Sequence, residues 1–379
     1  MCIFENFSKK PRFLITGGAG FIGGAVIRKL LTDTECIIFN LDKMGYASDL
    51  TSIDHTLLSL GSAKEDRHFF LRVDLSNYSD TISAVNYADP DFIMHLAAES
   101  HVDRSIKGPG EFIKSNIVGT FNLLEAAKCH YDQLSNQRKT TFKFHHISTD
   151  EVFGTLGQKG KFNETSQYDP RSPYSASKAS SDHLVNSWLH TYGLPTLITN
   201  CSNNYGPWQY PEKLIPKIII NALRNSEIPI YGDGKNIRDW LYVEDHADAL
   251  LQVIENGDIG EKYCIGGNQE KSNNEIAEII CDCLDEICPS NNPYKKLITY
   301  VEDRQGHDFR YAIETNKINK KLNWHPKFNF KEGIRKTINW YLANKNWYFE
   351  VNAKNHHKAL SRETASPPSS YPMPLNPRF

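Results

Sequence analysis

An α/β fold is predicted, in which a doubly wound parallel sheet is followed by a smaller C-terminal α/β lobe. In the first half of the chain, short runs of β-branched and aromatic residues alternate with longer segments of helical period. A glycine-rich stretch joins the first of these runs to the first helix. The length of 379 residues allows two domains of ordinary size. Together these observations favour a parallel sheet covered by helices on both faces.

The individual elements follow from the same patterns. We predict strands at residues 13–16, 36–41, 92–96, 142–147 and 196–199, and helices at residues 20–31, 111–128, 173–192 and 330–342. Beyond residue 200 the strands become brief and the turns rich in Asn, Gly and Pro. We therefore assign residues 1–200 to the first domain and residues 201–343 mainly to the second, with some later segments returning to the first. Residues 344–379 lose all periodicity and include five prolines after Ser366, so we expect a disordered tail.

Composition argues against several classes of protein. Hydrophobic residues make up 40% of the chain and charged residues 23%, with a formal net charge of -2, so a nucleic-acid partner is not expected. Lys9 and Lys10 follow the first apolar residues, a pattern that predicts neither a secretory signal nor a membrane span, and we expect a cytoplasmic protein. The eight cysteines are scattered, and Cys283 falls on a buried helical face, so no metal site is expected.

The glycine-rich stretch predicts a dinucleotide site. Residues 16–23 read Thr-Gly-Gly-Ala-Gly-Phe-Ile-Gly, where a tight turn and a helix N-terminus would hold a pyrophosphate. Asp42 ends the second strand 19 positions after Gly23, where a carboxylate accepts hydrogen bonds from a ribose and repels a 2′-phosphate. A Rossmann-type domain that binds NAD is therefore predicted, although Lys43 beside Asp42 leaves NADP open. The alternative is a structural glycine turn with a surface aspartate.

The predicted cofactor contacts extend along the carboxyl ends of the strands. They are Gly17, Gly20, Phe21, Ile22, Gly23, Asp42 and Lys43, followed by Asp74, Leu75, Leu96, Ala97 and Ala98.

Tyr174 and Lys178 form the first candidate pair of reacting groups. Four residues apart, they share one face of a helix for which Ser172 is a suitable cap and Pro173 a suitable first residue. A tyrosine pKa near 10 is too high for a base at neutral pH, and a nearby cation favours the phenolate. Tyr174 would then take a proton from a sugar hydroxyl. A surface pair is the alternative when the motif stands alone.

A second group follows the strand at residues 142–147. Residues 148–154 read Ser-Thr-Asp-Glu-Val-Phe-Gly, which places Asp150 and Glu151 at the sheet edge where such folds bind ligands. A simple dehydrogenase needs no such pair. Once carbon 4 of a hexose is a ketone, a carboxylate can remove the proton on carbon 5 while a carboxylic acid protonates the hydroxyl leaving carbon 6. A carboxylate that only caps a turn is the alternative.

Several long stretches carry a resemblance to a known family. Residues 96–105 read Leu-Ala-Ala-Glu-Ser-His-Val-Asp-Arg-Ser, residues 201–207 read Cys-Ser-Asn-Asn-Tyr-Gly-Pro, and residues 238–245 read Arg-Asp-Trp-Leu-Tyr-Val-Glu-Asp. With residues 148–154 and 174–178, they resemble the dTDP-glucose 4,6-dehydratases of the extended short-chain dehydrogenase/reductase superfamily. The similarity runs from about residue 12 to about residue 342.

The resemblance implies roles for the reacting groups. Thr149 and Tyr174 would handle the hydroxyl on carbon 4, and Lys178 would hold the tyrosine and the nicotinamide ribose. Asp150 would be the acid for the leaving hydroxyl and Glu151 the base at carbon 5. NAD would be regenerated when hydride returns to carbon 6, and the product would be dTDP-4-keto-6-deoxyglucose, a precursor of rhamnose. A homodimer formed through the helices near residues 111–128 and 173–192 is also implied.

Further contacts are implied by the same resemblance. For the cofactor they are Ser100, Ser115, Tyr174, Lys178 and Asn204. For the nucleotide-sugar they are Ser100, Thr149, Asn203, Lys213, Leu214, Pro229, Ile230, Tyr231, Arg238, Asn273, Asp303, Arg304 and His307. The forked donors of Arg238 and Arg304 suit the oxygens of a diphosphate.

The chain departs from the family pattern in places. Phe153 stands where a tyrosine is usual and Gln305 where a proline is usual. Three other functions stay open at this stage: a UDP-sugar 4,6-dehydratase, an epimerase or decarboxylase of the same fold, and an inactive NAD-binding regulator. Thymine and uracil differ by one methyl group, worth about 1 kcal/mol in an apolar pocket, so the preferred base stays open too.

Overall fold

A computed structural model of the chain describes residues 4, 9–61 and 66–351. Its main feature is a seven-stranded parallel sheet with the strand order β10-β6-β5-β4-β1-β2-β3. The strands of this sheet are β1 (Arg12–Thr16), β2 (Ile37–Asp42), β3 (His68–Arg72), β4 (Phe92–His95), β5 (Lys143–Thr149), β6 (Thr196–Cys201) and β10 (Lys262–Ile265). The chain reverses its direction of progress between β1 and β4, which opens a crevice at their carboxyl ends.

Helices cover both faces of the sheet. They are α1 (Phe21–Asp33), α2 (Thr51–Leu60), α3 (Tyr78–Ala88), α4 (Val102–Lys107), α5 (Pro109–Phe112), α6 (Gly119–Gln133), α7 (Asn136–Lys139), α8 (Pro173–Tyr192), α10 (Val243–Asn256) and α12 (Asn316–Leu322). Because both faces are covered, the central strands are buried along their whole length, as in the run Phe92–His95. The predicted Rossmann-type sheet is confirmed.

A smaller lobe is formed by later segments. Its strands are β7 (Asn203–Tyr205), β8 (Ile228–Tyr231), β9 (Ile237–Tyr242), β11 (Glu270–Ser272) and β12 (Ile298–Val301), and its helices are α9 (Leu214–Leu223), α11 (Asn273–Ile287) and α13 (Phe330–Ala343). Three strands pair in the order β11-β9-β7 and two in the order β12-β8. The lobe has its own apolar core, in which Cys283 is buried as predicted.

Local signals account for the long helix α8. The Ser172 side chain accepts a hydrogen bond from the Ser175 backbone N–H at 3.0 Å, Pro173 occupies the first turn, and Gly193 ends the helix in the left-handed region. The predicted helix and its cap are therefore confirmed. Helix α13 agrees with its prediction in the same way, with Asn329 and Glu332 forming a capping box.

Other predictions need correction. The structure adds α2 and α3, which we did not predict, and gives bounds to β3, the strand expected before Asp74. The helix predicted at residues 111–128 is divided into α5, a π-helical segment Ile113–Val118 and α6. The tail predicted to begin at residue 344 is helical over residues 345–351, where Trp347 and Tyr348 are buried. The rest of the predicted tail lies outside the described residues. Within the part that the structure describes, no helix is long and apolar enough to cross a membrane.

Candidate active site

A cavity of about 340 Å³ lies at the carboxyl ends of the parallel strands, within the size range of ligand sites. All five proposed catalytic residues line it, and so do all the predicted cofactor contacts. These are Gly17, Gly20, Phe21, Ile22, Gly23, Asp42, Lys43, Asp74, Leu75, Leu96, Ala97, Ala98, Ser100, Ser115, Thr149, Asp150, Glu151, Tyr174, Lys178 and Asn204. Motifs separated by more than 100 residues therefore meet in one place.

The glycine turn forms one end of the cavity. Gly17 has a φ of +72°, and its N–H donates to the Leu41 carbonyl at 2.8 Å. A Cβ atom on Gly17 would lie 2.7 Å from the backbone of Ala97, so only glycine fits there. Gly20 is the N-cap of α1 and has no side chain to satisfy the first N–H groups of that helix. Those donors are available to an anion in the cavity.

Asp42 is buried beside this turn. One carboxylate oxygen accepts from the Met44 N–H and the Ser48 hydroxyl, both at 2.8 Å, and the other from the Ala19 N–H at 3.2 Å. Burial raises the pKa of Asp42, while these hydrogen bonds act against the rise. The oxygen that faces Ala19 retains acceptor capacity for a ribose hydroxyl.

Lys43, the residue that left NADP open, is engaged elsewhere. Its Nζ lies 2.8 Å from a Glu99 carboxylate oxygen and 3.4 Å from the Ser115 hydroxyl. Because Glu99 balances its charge, Lys43 offers a weaker attraction to a 2′-phosphate than an unpaired lysine would. The structure therefore favours NAD over NADP on this side of the cavity.

The proposed reacting groups are held by the end of β5 and the start of α8. Thr149 is the last residue of β5; its Oγ1 donates to an Asp150 carboxylate oxygen at 3.3 Å and accepts from the Glu151 N–H at 3.3 Å. Tyr174 is 8% exposed and Asp150 only 1%. The second Asp150 oxygen is buried and has no hydrogen-bond partner among the described residues. It is therefore available to a ligand group.

The two carboxyl groups differ in their surroundings. Burial raises the pKa of Asp150 well above its usual range, and the nearby Glu151 and Asp239 raise it further. Burial also raises the pKa of Glu151, but Arg304, Arg238 and Lys213 act against that rise. Asp150 is thus stabilised as the protonated acid, while Glu151 faces cations that stabilise a carboxylate.

The expected effect of Lys178 on Tyr174 is not found. The Lys178 Nζ donates to the Ile147 carbonyl at 2.9 Å. Burial, followed by Glu151, raises the pKa of Tyr174 well above its ordinary value, and Thr149 offsets only part of that rise. These surroundings act against the phenolate, and Lys178 is not among the groups that influence the Tyr174 pKa most strongly, so its effect on Tyr174 stays a prediction.

The predicted sugar contacts are more widely spread. Ser100, Thr149, Asn203 and Lys213 line the cavity. The other predicted contacts lie on the smaller lobe beyond it: Leu214, Pro229, Ile230, Tyr231, Arg238, Asn273, Asp303, Arg304 and His307. Ile230 is 0% exposed, so neither its side chain nor its backbone is accessible to a ligand in this structure.

The two arginines on this lobe are not equivalent. Arg238 already donates to the carbonyls of Ile237, Asp308 and Phe309 at 2.7 to 3.3 Å, and its guanidinium lies 4.3 Å from the centre of the Tyr311 ring. Arg304 approaches Asp103 only at 3.8 Å, and its Nε is buried without a partner among the described residues. Arg304 thus has the more available donors for an anionic ligand.

Sequence reasoning missed the segment that covers the cavity. Tyr46 and Asp49 belong to a loop after β2 that lines the cavity. The Tyr46 hydroxyl donates to Glu212, and the Trp347 indole N–H donates to Asp49. The Tyr210 hydroxyl also donates to the Tyr46 carbonyl at 2.7 Å. No short sequence motif connects these positions. The one sequence feature that could have indicated this contact is the group of aromatic residues around Trp347, which we assigned to a disordered tail.

The fold and the site define a class of protein: an NAD-dependent enzyme of the extended short-chain dehydrogenase/reductase type, with two adjacent buried carboxyls beyond its Tyr-x-x-x-Lys motif. The model of the family described as GDP-mannose 4,6 dehydratase matches residues 14–337. A dTDP-glucose 4,6-dehydratase from Neisseria meningitidis serogroup B is 52% identical over 345 residues, which cover 90% of this chain and 96% of that protein. The chain belongs to the dTDP-glucose 4,6-dehydratase family.

Solved structures agree with this assignment. DesIV, a dTDP-glucose 4,6-dehydratase from Streptomyces venezuelae with NAD and TYD bound, is 37% identical, with a TM-score of 0.80 over 90% of this chain and 99% of that one. A UDP-glucose 4-epimerase from Thermotoga maritima with UDP-glucose is 26% identical, with a TM-score of 0.75 over 87% of this chain and 98% of that one.

Proposed function

We propose that this protein is a dTDP-glucose 4,6-dehydratase, an NAD-dependent hydro-lyase that converts dTDP-glucose into dTDP-4-keto-6-deoxyglucose. The observation that carries the proposal is the different electrostatic surroundings of two adjacent carboxyls that line the same cavity as Tyr174. Glu151 and Asp239 raise the pKa of the buried Asp150 against Arg238, whereas Arg304, Arg238 and Lys213 act to lower that of the buried Glu151 against Asp308. An epimerase or a simple dehydrogenase has no use for such a pair, whereas elimination of water needs one acid and one base.

The residues present fit NAD. The Gly17 turn and the uncapped start of α1 suit the pyrophosphate, and Asp42 suits a ribose. A bound NAD would supply a hydride acceptor for carbon 4, a hydride donor for carbon 6 once reduced, and a positive charge on its oxidised nicotinamide ring. Lys178, which lines the cavity from the same helix as Tyr174, would hold the ribose on the nicotinamide side.

The side chains of this chain then divide the proton transfers. Tyr174, oriented by Thr149, would take the proton of the hydroxyl on carbon 4 as the phenolate, the form that the positive charge of a bound nicotinamide would stabilise. Glu151 removes the proton on carbon 5, which the ketone at carbon 4 has made acidic. Asp150 gives its proton to the hydroxyl that leaves carbon 6, so that water departs and a double bond forms between carbons 5 and 6. The buried position of Asp150 keeps it protonated until that step.

A turnover assay with dTDP-glucose, UDP-glucose and GDP-mannose tests the function. We expect dTDP-glucose to lose one water and give a 4-keto product that absorbs in alkali, with no net change in NAD. UDP-glucose should react more slowly, since one methyl group is worth about 1 kcal/mol, or roughly fivefold. Recovery of a 4-epimer or of unchanged dTDP-glucose would contradict the proposal.

We also propose a cytoplasmic homodimer that serves deoxysugar synthesis, such as that of rhamnose. The π-helical segment, α6 and α8 leave apolar side chains exposed on one side of the sheet: Ile113 at 53%, Phe121 at 40% and Tyr192 at 48%. Such a patch is typical of a buried interface between copies. Sedimentation of the wild-type protein at the mass of a monomer would exclude the dimer.

A further inference from the structure

A buried carboxylate lies behind the reacting groups. Asp182 is on α8, four residues after Lys178 and eight after Tyr174, and is 1% exposed. It accepts four hydrogen bonds, from His146 Nε2 at 3.1 Å, Ser148 Oγ at 2.9 Å, the Tyr168 hydroxyl at 2.8 Å and Asn200 Nδ2 at 3.3 Å. It does not line the cavity, so it does not touch the substrate.

These donors come from different elements of the sheet. His146 and Ser148 are on β5 and Asn200 is on β6. The Asn200 amide also donates to the Thr149 carbonyl at 3.1 Å, so one network connects Asp182 to the residue that would orient the substrate hydroxyl. Such a network fixes the position of β5 relative to α8, and thereby of Thr149 relative to Tyr174.

Of the two basic side chains near Asp182, His146 and Lys178, only Lys178 can balance its negative charge at pH 7. Complete burial lowers the pKa of His146 to about 4, so this imidazole is neutral at pH 7 and its N–H makes a hydrogen bond instead of an ion pair. Lys178 lies one helical turn away on the same face. Burial lowers the pKa of Lys178, and Asp182 is the strongest influence against that fall.

Other titratable groups also face this pair. Around Lys178 they are His95 on β4, His146 on β5 and Cys201 on β6; around Asp182 they are His146 and Tyr168, whose hydroxyl accepts from the Lys262 ammonium at 3.1 Å. Burial raises the pKa of Asp182, but the hydrogen bonds and Lys178 together hold it below its usual range. Asp182 therefore stays ionised at neutral pH.

We propose that Asp182 is a positioning residue of the dehydratase reaction, which provides the counter-charge for Lys178 and fixes Thr149 and Tyr174 relative to each other. The inference rests on the proposed function, because it assigns a role within that reaction. Burying a carboxylate costs several kcal/mol unless it is paired and hydrogen-bonded. Here four hydrogen bonds stabilise it, and Lys178, four residues earlier on the same helix face, is the cation that would balance its charge.

Asp182→Asn in the full-length holoenzyme tests this role. We expect it to retain NAD and the KM for dTDP-glucose, but to lose about 10- to 100-fold in kcat, the range found when a residue that orients a ligand is removed. Lys178 should also titrate at a lower pH, because its counter-charge is gone. NMR of lysine labelled with ¹³C at Cε, with the signal assigned by Lys178→Met, measures that shift without substrate.

Asp245→Asn is the matched control, since it removes a buried carboxylate from α10 outside the cavity. An equal loss of kcat in both variants, or a Lys178 titration that does not move, would overturn the inference. Absence of turnover in the wild-type enzyme would instead overturn the proposed function, and the Lys178 titration would still decide the role of Asp182. If Asp182→Asn does not fold, Ser148→Ala combined with Tyr168→Phe removes two of its donors, and an unchanged kcat there would reject the proposal.

Discussion

The two halves of the cavity are built in different ways. On the cofactor side, the Gly17 turn, the start of α1 and Asp42 lie within 26 consecutive residues, 17–42, and place mostly backbone groups around the ligand. On the side of the reacting groups, Glu151 and Lys213 line the cavity from two distant segments, and Arg304, beyond the cavity, acts on the pKa of Glu151 from a third. The proposed cofactor contacts thus come from local geometry, whereas the proposed reacting groups are brought together only by the complete fold.

The largest effect that separates the two halves is expected from Glu151→Gln. Without the base, kcat should fall by about 10²- to 10⁴-fold, the range for a general base, while NAD stays bound because Asp42 and the glycine turn are untouched. Solvent deuterium should no longer enter at carbon 5, as mass spectrometry of the sugar would show. Normal deuterium incorporation would exclude Glu151 as the base.

Asp42→Ala changes the cofactor side of the cavity. It removes a charged acceptor for the ribose and leaves the Ala19 and Met44 N–H groups without their carboxylate. A hydrogen bond to a charged group is worth about 1.5–3 kcal/mol, so NAD affinity should fall about 10- to 100-fold. Calorimetry on protein stripped of its cofactor measures this. Saturating NAD should restore most of kcat, and an affinity equal to wild type would mean that the ribose lies elsewhere.

The difference between local contacts and contacts made only by the complete fold also explains which features the sequence could predict. The glycine turn, Asp42, Thr149 and Tyr174 each stand at the end of a predictable strand or the start of a predictable helix, and all line the cavity. The direction in which the Tyr174 pKa shifts could not be predicted from the sequence, because it depends on burial and on Glu151, which acts on it only in the folded chain.

The predicted sugar contacts show what the sequence could not predict. The sequence alone did not distinguish Arg238 from Arg304. In the structure Arg238 donates to three carbonyl groups, whereas the Nε of Arg304 is buried and has no partner among the described residues. Helix α3 escaped prediction although the Asn77 side chain caps it, because its single apolar face is short. Such properties follow from packing against distant segments, to which local patterns are insensitive.

The smallest effect is expected from Trp347→Phe, which tests whether the cofactor side of the cavity depends on a distant part of the chain. Trp347 donates to Asp49 in the loop that lines the cofactor side, although it lies near the other end of the described chain. Trp347→Phe keeps an aromatic ring but loses this hydrogen bond, worth about 0.5–1.5 kcal/mol, so NAD should dissociate about 2- to 10-fold faster with kcat little changed. Trp340→Phe is the control, because Trp340 packs against the same aromatic cluster. Equal NAD release from both variants, measured by fluorescence after dilution, would mean that the aromatic packing and not the bond to Asp49 holds the loop.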